Sequence, residues 1–211
     1  MARSTDVTAR RTPRRRAHVL AVAALAPALA AGTVVASAGG AAAAPAGPGR
    51  GDVVAVAATV AAWDAAAPPR AVSYSPAVPP GARIAVVELP RTTGTTFVLA
   101  VSGLQPGRTY GAHVHAAACG ATGAAAGPHF QHVPDPVQPS TDPAYANPEN
   151  EVWLDVAVGA RGAGYATATV PWRFADDRRG QSLVIHEMAT ATDPGTAGTA
   201  GGRLACLTVP F

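Results

Sequence analysis

Apolar side chains along this chain come in short runs, and the breaks between runs are rich in Gly, Pro, Asp and Asn. The runs are "DVVAVAATVAAW", "RAVSYS", "ARIAVVELP", "TTFVLAVSGL", "YGAHVHA", "EVWLDVAVGA", "GYATATVPWRF", "SLVIHEM" and "RLACLTV". Several alternate apolar with polar positions, the period-2 pattern of strands joined by turns. The first run is alanine-rich and helical on propensity alone, but Val53, Val54, Val56 and Val60 favour a strand. No other long stretch carries a helical period, so the pattern predicts an all-β sandwich or flattened barrel. Two segments interrupt the rhythm: residues 120–150, and residues 187–202, "EMATATDPGTAGTAGG". Connections this long are usually functional or disordered. The first carries His129 and His132, and the second runs between His186 and Cys206, which favours function.

Charge divides the chain in two. Residues 1–16 hold six arginines and one acid, and an alanine-rich apolar stretch follows, ending in "ASA" and "AAAA". A charged start, an apolar middle and a small-residue end predict a secretory signal peptide and leader over residues 1–44, cleaved near 36–45. Pro27 and the Gly and Thr residues make the apolar stretch a poor permanent span, so no stable membrane anchor is expected. Without the leader, about 167 residues remain, with ten arginines, no lysine and twelve acids. That net charge of −2, against +3 for the whole chain, argues against a general nucleic-acid or polyanion binder. The remainder suffices for one domain, residues 45–211, with a substantial core. Two cysteines in an exported chain most simply pair with each other. A Cys119–Cys206 bridge spans 87 positions, worth about 4–5 kcal/mol in the chain-entropy treatment.

Histidine is scarce, six in all, yet three fall within "GAHVHAAACGATGAAAGPHF". On a strand, residues two apart share a face, so His113 and His115 project together while Val114 points away. His129 follows a Gly-Pro turn, and His186 ends the apolar run "SLVIH". Four imidazole nitrogens without a thiolate suit copper in tetragonal coordination, although zinc or nickel could occupy the same set.

Taken together, "GAHVH…C…GPHF…VIHE…GGRLAC" resembles the copper-zinc superoxide dismutase family over most of residues 80–211. The resemblance implies an eight-stranded Greek-key barrel, copper ligands His113, His115, His129 and His186, and a Cys119–Cys206 bridge. It implies that His129 is the imidazole that exchanges a proton, and that Arg203, three residues before the second cysteine, guides an anionic substrate. The implied reaction is copper-dependent dismutation of superoxide outside the cytoplasm. The alternative on the same fold is a non-catalytic extracytoplasmic copper buffer or carrier.

The resemblance fails at the second metal. The family's zinc site takes two further histidines and an aspartate from the loop after the bridging histidine. Here that loop offers only His132, with Asp135, Asp142, Glu149, Glu151 and Asp155 as scattered carboxylates, so zinc is doubtful. Asp135 and Asp142 precede prolines, which is ordinary turn chemistry. In the family an aspartate four residues beyond the last copper ligand links the two metals; here that position is Thr190, and the next acid is Asp193. The expectation is a secreted, copper-only member. Its His129 then needs another partner on the far ring nitrogen, for which Glu149 and Asp155 are the candidates. Trp63, Trp153 and Trp172 are expected to pack in the core or on the barrel surface.

Overall fold

The computed structural model describes residues 51–211; the expected leader and cleavage region, and His18, lie outside them. Strand-forming alternation works as anticipated. One sheet holds β1 (Val54–Thr59), β3 (Arg83–Arg91), β4 (Gly94–Ser102) and β8 (Ala163–Val170), antiparallel in the order β1-β3-β4-β8. The second holds β2 (Ala71–Ser73), β6 (Ala112–His115), β9 (Ser182–His186) and β10 (Arg203–Thr208), in the order β2-β10-β9-β6. A two-residue ribbon, β5 (Thr109–Tyr110) with β7 (Val156–Ala157), stands apart from both. The two four-stranded sheets account for the expected eight strands, and the alanine-rich first run is a strand.

The register explains the core. On β4, Thr95, Phe97, Leu99 and Val101 point inward, while Thr96, Val98, Ala100 and Ser102 point out. Phe97 meets Phe174 and Phe211 edge-on at 6.0 and 5.8 Å, and Phe174 meets Phe130 and Trp172 the same way at 4.8 and 5.5 Å. Such geometry sets the positive ring edge against the negative face. The β3–β4 hairpin needs Gly94: its φ is +128°, and a Cβ there would stand 2.1 Å from the Val170 carbonyl oxygen.

Cys119 and Cys206 are disulfide-bonded, with Cα atoms 5.7 Å apart. Cys206 lies on β10, so the bridge ties the start of the first long connection to the second sheet. A short 3₁₀ turn, Gly123–Ala126, packs there, with Ala126 buried against Val184 and Cys206. Among the described residues no helix is long and apolar enough to cross a membrane.

Candidate metal centre

Three elements bring four histidines together. His113 and His115 occupy alternate positions on β6, and His186 ends the neighbouring β9. The first long connection turns at Gly127-Pro128 and lays His129 against His115 in an isolated antiparallel bridge. Each ring offers one nitrogen, and the four donor atoms lie within 4.8 Å of one another. Ring centroids are 4.1 Å apart for His113–His129 and 4.7 Å for His113–His186. His113, His115 and His186 are buried, whereas the His129 side chain keeps 18% exposure.

In three of the rings, hydrogen bonds decide which nitrogen is left to converge. The Thr190 hydroxyl donates to Asp155, so it accepts from Nε2–H of His113 at 2.7 Å. That leaves Nδ1 of His113, buried and without a partner, as the free lone pair. His115 donates from Nδ1 to the Gly127 carbonyl at 3.0 Å, freeing Nε2, which lies 3.2 Å from Nε2 of His186. His129 donates from Nδ1 to Oε2 of Glu151 at 2.8 Å, freeing its own Nε2. Burial, and after it the neighbouring rings, hold His113 and His115 well below the ordinary histidine range. Burial first and then His129 push His186 down to about 3. Neutral imidazoles with inward lone pairs form a donor set for a borderline metal ion. The buried, unpartnered Nδ1 lone pair of His113 is satisfied by a metal ion. The residues fit copper.

Arg203 opens β10 opposite His186 and donates from Nη1 to the Gly123 carbonyl at 2.8 Å. A cleft of about 330 Å³ reaches the cluster, lined by His129, His186 and Arg203 together with Thr141 and Thr199. A larger one of about 780 Å³ beside Trp63 and Arg70 contains none of the histidines. The structure thus gathers the four expected ligands and places the expected arginine in their cleft.

The loop residues do not join them. His132 stacks on Trp172 at 5.1 Å with rings 3° from parallel. The Asp135 carboxylate accepts from the Val137 N–H and the Ser140 hydroxyl, and Asp142 caps a turn at Ala144. Among the described residues, no second group of three or more His, Cys, Asp or Glu side chains is placed to hold a metal.

One expectation needs correction. The partner of His129 is Glu151, not Glu149 or Asp155. Glu149 contributes its backbone carbonyl to the Trp172 indole, while the Asp155 carboxylate is engaged by Thr190. Trp153 packs its ring toward His113 and adds a polar contact that the sequence did not announce: its indole N–H donates to Oε2 of Glu151 at 2.7 Å. Gln131, to which the sequence reading assigned nothing, donates to Oε1 of Glu151 at 2.8 Å. A signal for two of these was available. In "EVWLDV", period 2 puts Val152, Leu154 and Val156 in the core and Glu151, Trp153 and Asp155 on the opposite face. That face looks onto the histidines.

The family described as copper/zinc superoxide dismutase (SODC) matches residues 83–209. Among solved structures, the Cu/Zn superoxide dismutase from Brucella abortus is 21% identical. It covers 74% of this chain and 99% of its own, with a TM-score of 0.50, a likeness in fold. A double mutant of a SOD-like protein from Bacillus subtilis is 20% identical, covering 59% and 87%, with a TM-score of 0.48. No curated protein matches the chain.

Proposed function

The chain belongs to the copper/zinc superoxide dismutase family, and from that premise we propose that it dismutates superoxide on a single copper ion outside the cytoplasm. Two superoxide anions and two protons yield oxygen and hydrogen peroxide. The observation that carries the reading is the convergence of four imidazole donors, two of which, His129 and His186, line a cleft together with Arg203. Copper held by Nδ1 of His113 and Nε2 of His115, His129 and His186 would supply the reversible one-electron change that dismutation needs and zinc lacks.

The protein's own groups do the rest. Arg203, tethered to a carbonyl and permanently charged, attracts the anion and fixes its approach. In a domain of net negative charge, that local field is what makes the cleft attractive. His129 combines exposure with an acidic partner, which suits Nε2 to exchange a proton. The other three rings sit where burial disfavours charge. The single-metal reading rests on Glu151 occupying the side of His129 where the family places zinc. The extracytoplasmic reading rests on the arginine-rich and alanine-rich leader, and the disulfide accords with an oxidising compartment.

Arg203→Ala tests the proposal. Copper content and the Cu(II) spectrum should stay as in the parent while dismutation falls by roughly tenfold, within the range of electrostatic steering. A copper-loaded parent without activity would leave a copper carrier in the enzyme's place.

A further inference from the structure

Glu151 is held more firmly than a hydrogen bond to His129 requires. It is 1% exposed, and three donors converge on it: Gln131 Nε2 on Oε1 at 2.8 Å, Trp153 Nε1 on Oε2 at 2.7 Å, and His129 Nδ1 on Oε2 at 2.8 Å. Both in-plane lone pairs of Oε2 are therefore used. The two auxiliary donors are themselves anchored. Gln131 is 5% exposed, and its Oε1 accepts the Asp135 N–H at 2.9 Å, which fixes which end of the amide faces Glu151. Trp153 is bridged to His113 through its backbone, and its ring lies 6.1 Å from that histidine's. The second long connection covers the remaining side. At Gly198, where φ is +78°, a Cβ would come within 3.7 Å of Oε2 and 3.8 Å of His129 Nδ1.

We infer that Gln131 and Trp153 are positioning residues that hold Glu151 as a pure acceptor and thereby lock His129 in its Nδ1–H form, with Nε2 directed at the metal. A carboxylate without them would be free to swing or to turn a lone pair elsewhere, and His129 could then carry its proton on either nitrogen. With them, only one tautomer satisfies the site, because Oε2 has no proton to offer and Nδ1 must donate. The far side of His129 becomes a fixed hydrogen bond in place of a cation position. The consequence for metal binding rests on the single-copper reading above; the tautomer itself does not.

The experiment uses the full chain, metal-free and then titrated with Cu(II). In the metal-free parent, nitrogen-15 NMR should show, beside the buried Nδ1–H of His115, a second slowly exchanging imidazole Nδ1–H that is lost in His129→Ala. Trp153→Phe and Gln131→Met should each shift that resonance and speed its exchange about tenfold or more. Cu(II) affinity should fall in both by ~10–100-fold, as for loss of an outer partner of a ligand. Trp172→Phe, which removes an indole bonded to the Glu149 carbonyl instead, should change neither readout. A parent lacking the protected His129 Nδ1–H overturns the inference without any variant. So does an unaltered resonance and affinity in both substituted proteins. An inactive copper-loaded parent that keeps the protected proton would count against dismutation alone.

Discussion

Burial pushes two polar clusters in this barrel toward neutrality, with opposite consequences. At the metal centre, burial pushes three histidines toward their neutral form, the form a metal requires. On β3, Glu88 is 2% exposed, and its nearest cation, Nη2 of Arg179, is 3.8 Å away. That contact is too long for a hydrogen bond, and Oε2 of Glu88 and Nη1 of Arg179 have no hydrogen-bond partner. Arg179 is drawn off to the Phe211 carbonyl and the face of Phe174. Burial therefore outweighs the attraction and pushes the Glu88 carboxyl up to about 7. The difference is convergence. Four ring nitrogens brought within 4.8 Å of one another can share an ion, whereas a carboxylate and a guanidinium left without hydrogen-bond partners only add cost.

The largest effect should come from removing a convergent donor. Copper at a thousandfold excess over its dissociation constant should stabilise the parent by about 4 kcal/mol. His186→Ala or His113→Ala should abolish that shift together with activity, as read by urea unfolding with and without copper. Metal removal then exposes the pH response. Histidines depressed in the fold are charged more readily when unfolded, so the metal-free protein should lose stability as pH falls below the usual histidine value of 6.5. Unfolding midpoints between pH 8 and pH 4 check this, and a flat profile would refute it.

Glu88 works against that trend. Its folded value lies above the unfolded one, so its contribution is greatest below about 4.5 and is lost as pH rises to about 7. Glu88→Gln should remove this opposing term and steepen the acid decline by on the order of 2 kcal/mol, allowing for screening. Identical profiles in parent and variant would dissolve the contrast between the clusters. The smallest effect belongs to His132, which joins neither cluster. Its stack on Trp172 makes His132→Ala worth about 0.5–1 kcal/mol, with copper content by elemental analysis unchanged.

Much of this was readable residue by residue. Period 2 in "HVH" placed two ligands on one face, and the same rule applied to "EVWLDV" would have put Glu151 and Trp153 on one face. It would also have put Glu88 inward beside Ile84 and Val86. Strand propensity and turn residues were enough for the barrel, because both act over neighbouring positions. The pairing of Glu151 with His129 was not readable, since they stand 22 positions apart across a loop of turns and several carboxylates in that loop are equally plausible by spacing.

What the local pattern determined by itself was therefore the strands, the donor types and the face each donor occupies. These follow from backbone geometry that repeats every two residues. The tertiary structure alone decided which nitrogen of His113, His115 and His129 is left free, because that depends on one acceptor at hydrogen-bond distance. Thr190 reaches His113 across 77 positions and Gly127 meets His115 across 12. Such contacts are set by sheet register and by where two long loops come to rest, and a hydrogen bond shifted by one ångström is no longer there.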